Sequence, residues 1–111
     1  MPLFVSQGRY TEGAIKAMLA KPEDRTAAET KLVEQAGGKL VAFYLLFGEF
    51  DWMIIYEAPS GQEAAAVMLA AVGAGAITST RTMLAMSGVA AQAAFEAGHA
   101  LGADFRALGA S

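Results

Sequence analysis

Six side chains of this sequence combine a polar group with a position beside an apolar segment, which makes them candidates for binding a small molecule. They are Arg81, Tyr56, Thr80, Trp52, Tyr44 and Asp51. A guanidinium recognises a carboxylate through paired hydrogen bonds, so Arg81 is the first candidate for contact with an anionic group. Its alternative role is a cross-strand ion pair with Glu57.

Asp51 directly follows a predicted turn, which gives it two alternative roles. It either accepts hydrogen bonds from turn amides, as aspartate commonly does, or contacts a ligand at the mouth of a cavity. Trp52 and Tyr56 share one face of the strand after this turn, and Tyr44 lies in the strand before it. Aromatic side chains with a polar end pack in cores, anchor subunit interfaces or line pockets, and all three roles stay open here.

The sequence contains no residue set for the common kinds of catalysis or metal binding. His99 is the only histidine and cysteine is absent, so one subunit cannot form an ordinary zinc site. No feature of the sequence brings Ser79 or Ser87 close to His99, as a catalytic triad would need. The glycines of residues 73–75 lie between a predicted helix and a predicted strand, which is the wrong order for a phosphate-binding loop. We expect no catalytic residues, no metal and no cofactor.

Composition predicts one cytoplasmic domain that associates with itself. The 111 residues carry a net charge of −3 and no run of Lys or Arg, which argues against nucleic acid and against anionic membranes as partners. The cysteine-free sequence fits a reducing compartment, and its first residues lack the basic region of a signal peptide. Hydrophobic residues make up 55% and charged residues 17%, against about 45–50% and 25% in ordinary soluble domains. Oligomerisation would bury the excess apolar surface.

Four strands are predicted at residues 3–10, 39–47, 51–58 and 76–86, which are rich in β-branched and aromatic residues. A helix capped by Thr11 follows the first strand. Pro22 either starts a second helix in its first turn or kinks one long helix, and glycines at 37 and 38 stop the helix. Ser60 and Glu63 predict a capping box for the helix before the last strand. The order βαββαβ is that of the ferredoxin-like α+β fold, a four-stranded antiparallel sheet with two helices on one face.

The hairpin made by the second and third strands predicts self-association. Residues 41–47 and 52–56 are apolar at nearly every position, on either side of the turn at 48–51. A strand that is apolar on both faces needs cover on both faces. Because the helices of one chain can cover only one face, we expect a second copy of the chain to cover the other.

The sequence after Met86 predicts a helical extension, so we divide the chain into a domain at residues 1–86 and an extension at residues 87–111. Ser87 can cap a helix that runs to about Leu108. Several glycines lie within it, and each weakens a helix in water by about 1 kcal/mol. We therefore expect this helix to pack against the core of its own chain or against a neighbouring subunit.

Several landmarks together resemble those of a known family. They are Tyr10-Thr11, Gly13, Pro22-Glu23-Asp24-Arg25, Gly37-Gly38-Lys39, Phe43-Tyr44, Gly48-Glu49-Phe50-Asp51, Glu57-Ala58-Pro59 and a last strand with Thr80 and Thr82. Over residues 3–86 the sequence resembles the GYD domain family, with Phe50 in place of the tyrosine that gives the family its name. The resemblance implies a dimeric α/β-barrel, in which two ferredoxin-like sheets face each other, and it brings no settled biochemical activity.

Three functional hypotheses follow. The first is a homo-oligomeric, non-catalytic domain that holds a small apolar or carboxylate-bearing molecule in a pocket beside the sheet. The alternative is a small cofactor-independent enzyme, similar to the monooxygenases and isomerases that share the dimeric barrel, with Tyr56, Thr80 and Arg81 as donors. The third is a structural oligomer that the C-terminal helix locks together.

Overall fold

The computed structural model describes residues 1–109, which form one four-stranded sheet and four helices. The order is β1 (Leu3–Tyr10), α1 (Glu12–Ala20), α2 (Thr26–Gln35), β2 (Lys39–Leu45), β3 (Trp52–Glu57), α3 (Gly61–Gly73), β4 (Ile77–Ala85) and α4 (Gly88–Gly102). The predicted ferredoxin-like α+β fold is confirmed, and every strand ends within two residues of its predicted boundary.

The sheet has the order β2-β3-β1-β4, and all neighbouring strands are antiparallel. On one face, Phe4 of β1 lies opposite Tyr56 of β3, and the next pair on that face joins Ser6 to Ile54. These four side chains are buried, because α2 and α3 pack over them with residues such as Val33 and Val67. This face holds the hydrophobic core.

The opposite face, here called the open face, has no comparable cover within residues 1–109. Its members alternate along the strands with the core residues: Val5, Gln7, Tyr44, Met53, Ile55, Arg81 and Met83. None of them is buried; Tyr44 is 53% exposed and Met83 is 44% exposed. The sheet is therefore apolar on both faces, as the hairpin predicted, and the helices cover one of them. The dimeric assembly stays a prediction.

The connection between α1 and α2 corrects the prediction for Pro22. The chain forms two separate helices, so a kink in one long helix is wrong, but Pro22 lies in the connection and not in the first turn of α2. Asp24 explains why α2 starts later. Its carboxylate accepts hydrogen bonds from the backbone and the side chain of Thr26 at 2.9 and 2.7 Å, and these bonds lower the pKa of Asp24.

The other predicted helix starts are confirmed. The hydroxyl of Thr11 accepts a hydrogen bond from the N–H of Ala14 at 3.1 Å. Ser60 accepts from the N–H of Gln62 at 3.2 Å and donates to the carboxylate of Glu63. These caps satisfy N–H groups that the first turn of a helix leaves free.

The C-terminal helix departs from two expectations. It ends at Gly102, well before Leu108, and the N–H of Phe105 bonds back to the carbonyl of Gly102 in a turn. In the part of the chain that the structure describes, no residue of α4 is buried, and Phe95 is 79% exposed. The radius of gyration is 18.0 Å, against about 13 Å for a compact domain of this length. Packing against its own core is therefore wrong, and packing against a neighbouring subunit stays a prediction.

No helix within residues 1–109 combines the length and the apolar character that a membrane span needs.

Candidate functional site

A cavity of about 800 Å³ lies between the core face of the sheet and the helices α1, α2 and α3. The sheet lines it with Phe43, Trp52, Ile54 and Ile77, and the helices line it largely with alanines such as Ala17. No residue of α1, which the structure describes completely, is buried. Short alanine side chains leave space between that helix and the sheet, and the resulting volume falls in the range of about 300–1,000 Å³ typical of small-molecule pockets.

Trp52 is a buried side chain of the cavity lining that packs closely against its neighbours. It is 4% exposed and lies against Gly8, where an added Cβ would come within 2.7 Å of the indole Cζ2. Glycine at position 8 therefore makes room for the ring. The indole Nε1 is buried and has no hydrogen-bond partner among residues 1–109. A buried donor without a partner costs about 1–3 kcal/mol of folding free energy. Such donors are therefore uncommon in folded proteins.

Charged and hydroxyl groups meet at one end of the same cavity. Tyr10 from β1, Arg25 from the α1–α2 connection and Glu29 from α2 all contribute to its lining. Arg25 also forms an ion pair with Glu23 at 2.8 Å. Burial raises the pKa of the Glu29 carboxyl, and Arg25 offsets part of that rise. Burial also raises the pKa of the Tyr10 hydroxyl, with a further contribution from the charge of Glu29. Perturbed ionisable groups in an apolar cavity are typical of binding and catalytic sites.

The raised pKa of Glu29 predicts a pH-dependent effect of Glu29→Gln. The folded state holds this proton more tightly than the unfolded state, so the contribution of Glu29 to stability is greatest below the ordinary carboxyl pKa and falls as the pH rises through the raised pKa. Glutamine has no such dependence. We expect the melting temperature of E29Q to lie a few degrees above that of the wild type at about pH 7 and to equal it at about pH 4. Thermal unfolding at both pH values measures the difference. Solvent screening keeps the effect small.

The matched control is Glu34→Gln, at an exposed position of the same helix. It should show no gain that grows with pH. A gain of equal size in both variants would contradict a specific role of burial at Glu29.

The structure places two of the six predicted site residues, Tyr56 and Thr80, on or beside the core face, away from open solvent. Tyr56 is fully buried, and its hydroxyl shares a hydrogen bond of 2.8 Å with the hydroxyl of Ser6, which in turn shares one of 2.7 Å with Thr82. This arrangement satisfies the buried hydroxyl groups of Ser6 and Tyr56. Thr80 is half-buried and forms a β-bulge with Ser79 opposite Gly8.

Asp51 has a structural role at the hairpin turn. Its carboxylate accepts a hydrogen bond from the N–H of Tyr10 at 2.9 Å, and its own N–H donates to the carbonyl of Gly8 at 2.8 Å. Both bonds fasten the β2–β3 turn to the end of β1. Because Tyr10 lines the cavity, Asp51 positions a residue of the candidate site without lining it.

Arg81 and Tyr44 lie on the open face, on the other side of the sheet from the cavity. The guanidinium of Arg81 lies 5.2 Å from the centroid of the Phe50 ring, a cation–π arrangement. The proposed ion pair with Glu57 is wrong, because the register aligns Arg81 with Gln7 and aligns Glu57 with Leu3. Leu3 and Gln7 are four residues apart along β1, which separates Glu57 from Arg81 by at least about 13 Å. Of the six predicted residues, Trp52 alone lines the cavity.

Sequence reasoning missed the ionisable part of the site. Tyr10, Arg25 and Glu29 come from three different elements, and only the packing of the α1–α2 connection over the sheet brings them to one cavity. One signal was present: Tyr10 and Arg25 both belong to the landmarks that carry the family resemblance. Glu29 had no signal beyond its place in an amphipathic helix.

The comparisons with known proteins agree with this architecture. A protein-family model described as the GYD domain matches residues 4–95, which include the sheet except for Leu3, the residues that line the cavity and the first half of α4. A search of curated proteins finds none that matches this sequence. Because the family match spans most of the chain, the protein belongs to the GYD domain family.

Proposed function

We propose that this protein is a homo-oligomeric domain that binds a small molecule in the cavity beside its sheet. The observation that carries the proposal is the cavity itself: about 800 Å³, lined mainly by apolar side chains, with a few polar groups at one end. That combination is typical of sites that orient a small ligand. The cysteine-free composition fits a cytoplasmic location.

The open face supports the self-association half of the proposal. Val5 of the central strand lies between Ile55 on β3 and Met83 on β4, so an apolar row crosses the middle of this face. The four strands, of six to nine residues each, present a surface of roughly 20 by 23 Å. That is of the order of half the surface that one partner buries in an ordinary interface, about 800 Å². α4, with its exposed apolar side chains, would supply the remainder by packing against the partner.

The enzymatic alternative has weaker support. Its three suggested donors do not share a cavity within one chain, because Tyr56 is buried on the core face while Arg81 lies on the open face. The groups that do meet in the cavity, Tyr10 and Glu29, were not part of that hypothesis. We therefore favour binding without turnover.

A cavity-filling substitution tests the binding half of the proposal. Ala17 lines the cavity and Ala20, on the same helix, does not. Ala17→Phe should occupy part of the volume and abolish retention of any co-purifying small molecule, whereas Ala20→Phe should leave retention unchanged. Native mass spectrometry of the wild type and both variants measures retention, and the same spectra report the assembly mass.

Two results would contradict the proposal. One is a molecule retained equally by both variants, since it would then bind elsewhere. The other is failure of the wild type to retain or bind any compound from a broad metabolite set at about millimolar concentration, the weak limit of useful affinity.

A further inference from the structure

The buried indole nitrogen of Trp52 indicates the chemical class of ligand that the cavity takes. Trp52 lines the cavity, is 4% exposed and finds no hydrogen-bond acceptor for Nε1 within residues 1–109. The nitrogen has almost no solvent-accessible surface, so bulk water does not supply the acceptor that it lacks. We propose that the cavity binds an uncharged, mainly apolar molecule whose carbonyl or ether oxygen accepts a hydrogen bond from Trp52; this inference rests on the proposed function.

The other polar groups of the cavity favour the same class. The hydroxyl of Tyr10 donates a hydrogen bond, and the carboxyl of Glu29 does so in its protonated form, which burial favours. Acceptors on the ligand match both groups. The cavity lining contains two cationic side chains, Lys21 and Arg25, and two carboxylic side chains, Glu23 and Glu29, with Arg25 paired to Glu23. An anionic ligand would place a second negative charge beside the carboxyl of Glu29, whose pKa burial already raises. An uncharged acceptor avoids that repulsion.

Binding must include a small movement of the indole. Because Nε1 is shielded in the structure, an acceptor reaches it only when the ring turns toward the cavity. The ring packs on the backbone of Gly8, a contact that the turn would loosen. The hydrogen bond to the ligand satisfies the indole donor and offsets the loss of that packing contact. The turned ring is therefore stabilised only when an acceptor is present.

Three compounds built on the same six-membered ring test the inference. Cyclohexanone carries an uncharged acceptor, cyclohexene carries none, and cyclohexanecarboxylate carries a charged one. Trp52 is the only tryptophan, so a nitrogen–proton correlation spectrum of the full chain has a single indole peak. We expect cyclohexanone to shift the amide peaks of cavity residues and to move the indole proton downfield, and cyclohexene to bind more weakly without moving it.

The variant Trp52→Phe keeps an aromatic ring and removes the donor. It should weaken cyclohexanone binding about tenfold, the usual loss for one neutral hydrogen bond, and leave cyclohexene binding within about twofold. The indole measurement on the wild type does not depend on this variant. If Trp52→Phe fails to fold, that measurement alone shows whether Trp52 donates a hydrogen bond to the ligand.

The outcomes separate this inference from the proposed function. If cyclohexene binds as tightly as cyclohexanone and the indole peak stays in place, the inference is overturned while small-molecule binding stands. Tighter binding of cyclohexanecarboxylate at neutral pH would equally overturn the uncharged class. If none of the three shifts any cavity peak up to about millimolar concentration, both are overturned.

Discussion

Val5→Asp should convert the protein from an oligomer to a monomer. Val5 lies at the centre of the open face, between Ile55 and Met83, where the proposed partner would remove it from water. Burying an unpaired carboxylate in an interface costs several kcal/mol, so the dissociation constant should rise by at least about 100-fold. Light scattering after size-exclusion chromatography, over a range of protein concentrations, measures the change in mass.

The control for this experiment is Val72→Asp, which introduces the same charge at an exposed position of α3. It should leave the assembly mass unchanged. Far-ultraviolet circular dichroism must show that both variants are folded. A Val5→Asp variant that keeps the wild-type mass at micromolar concentration would rule out the open face as the interface.

Gly38→Ala should destabilise the fold more than any other glycine-to-alanine substitution in residues 1–109. An added Cβ would overlap the carbonyl oxygen of Glu57 and lie 3.1 Å from a methyl group of Val33. The obstructing atom belongs to the backbone of β3, so it cannot move aside without disturbing the β2–β3 pairing. We expect a loss of about 3 kcal/mol or more and a fall in the melting temperature of more than about 10 °C.

Gly61→Ala is the matched control. It lies at the first position of α3, where an added Cβ meets nothing within 4 Å, and its stability should stay within about 0.5 kcal/mol of the wild type. Chemical denaturation of both variants measures the difference. If Gly38→Ala lowered the free energy of unfolding by less than about 1 kcal/mol, the effect of an ordinary substitution, the result would contradict the close packing of α2, β2 and β3 around Gly38.

The sequence was sufficient for the fold because each element carried its own local signal. Thr11 and Ser60 mark helix starts through side-chain oxygens that accept backbone N–H bonds, and glycines mark the end of α2, with Gly37 at a φ of 85°. Runs rich in β-branched and aromatic residues then marked the strands. Pro22 was the exception, because a proline suits either a helix start or a connection, and it was Asp24 that determined where α2 begins.

The site was harder to predict because it depends on which face of the sheet each side chain occupies. Trp52, Tyr56 and Arg81 all looked suitable as single residues, but a shift of one residue moves a side chain to the other face. The strand order adds a second unknown, since β1 lies between β3 and β4 and separates Glu57 from Arg81. The volume of the cavity depends on how far α1 lies from the sheet, and no short sequence pattern reports that distance.

The hairpin turn joins the two surfaces on which the proposed function depends. Phe50 contacts Arg81 of the open face, and the next residue, Asp51, holds the backbone of Tyr10 in the cavity wall. Two consecutive residues of the turn therefore contact both the surface that would meet a partner and the wall of the compartment that would hold a ligand.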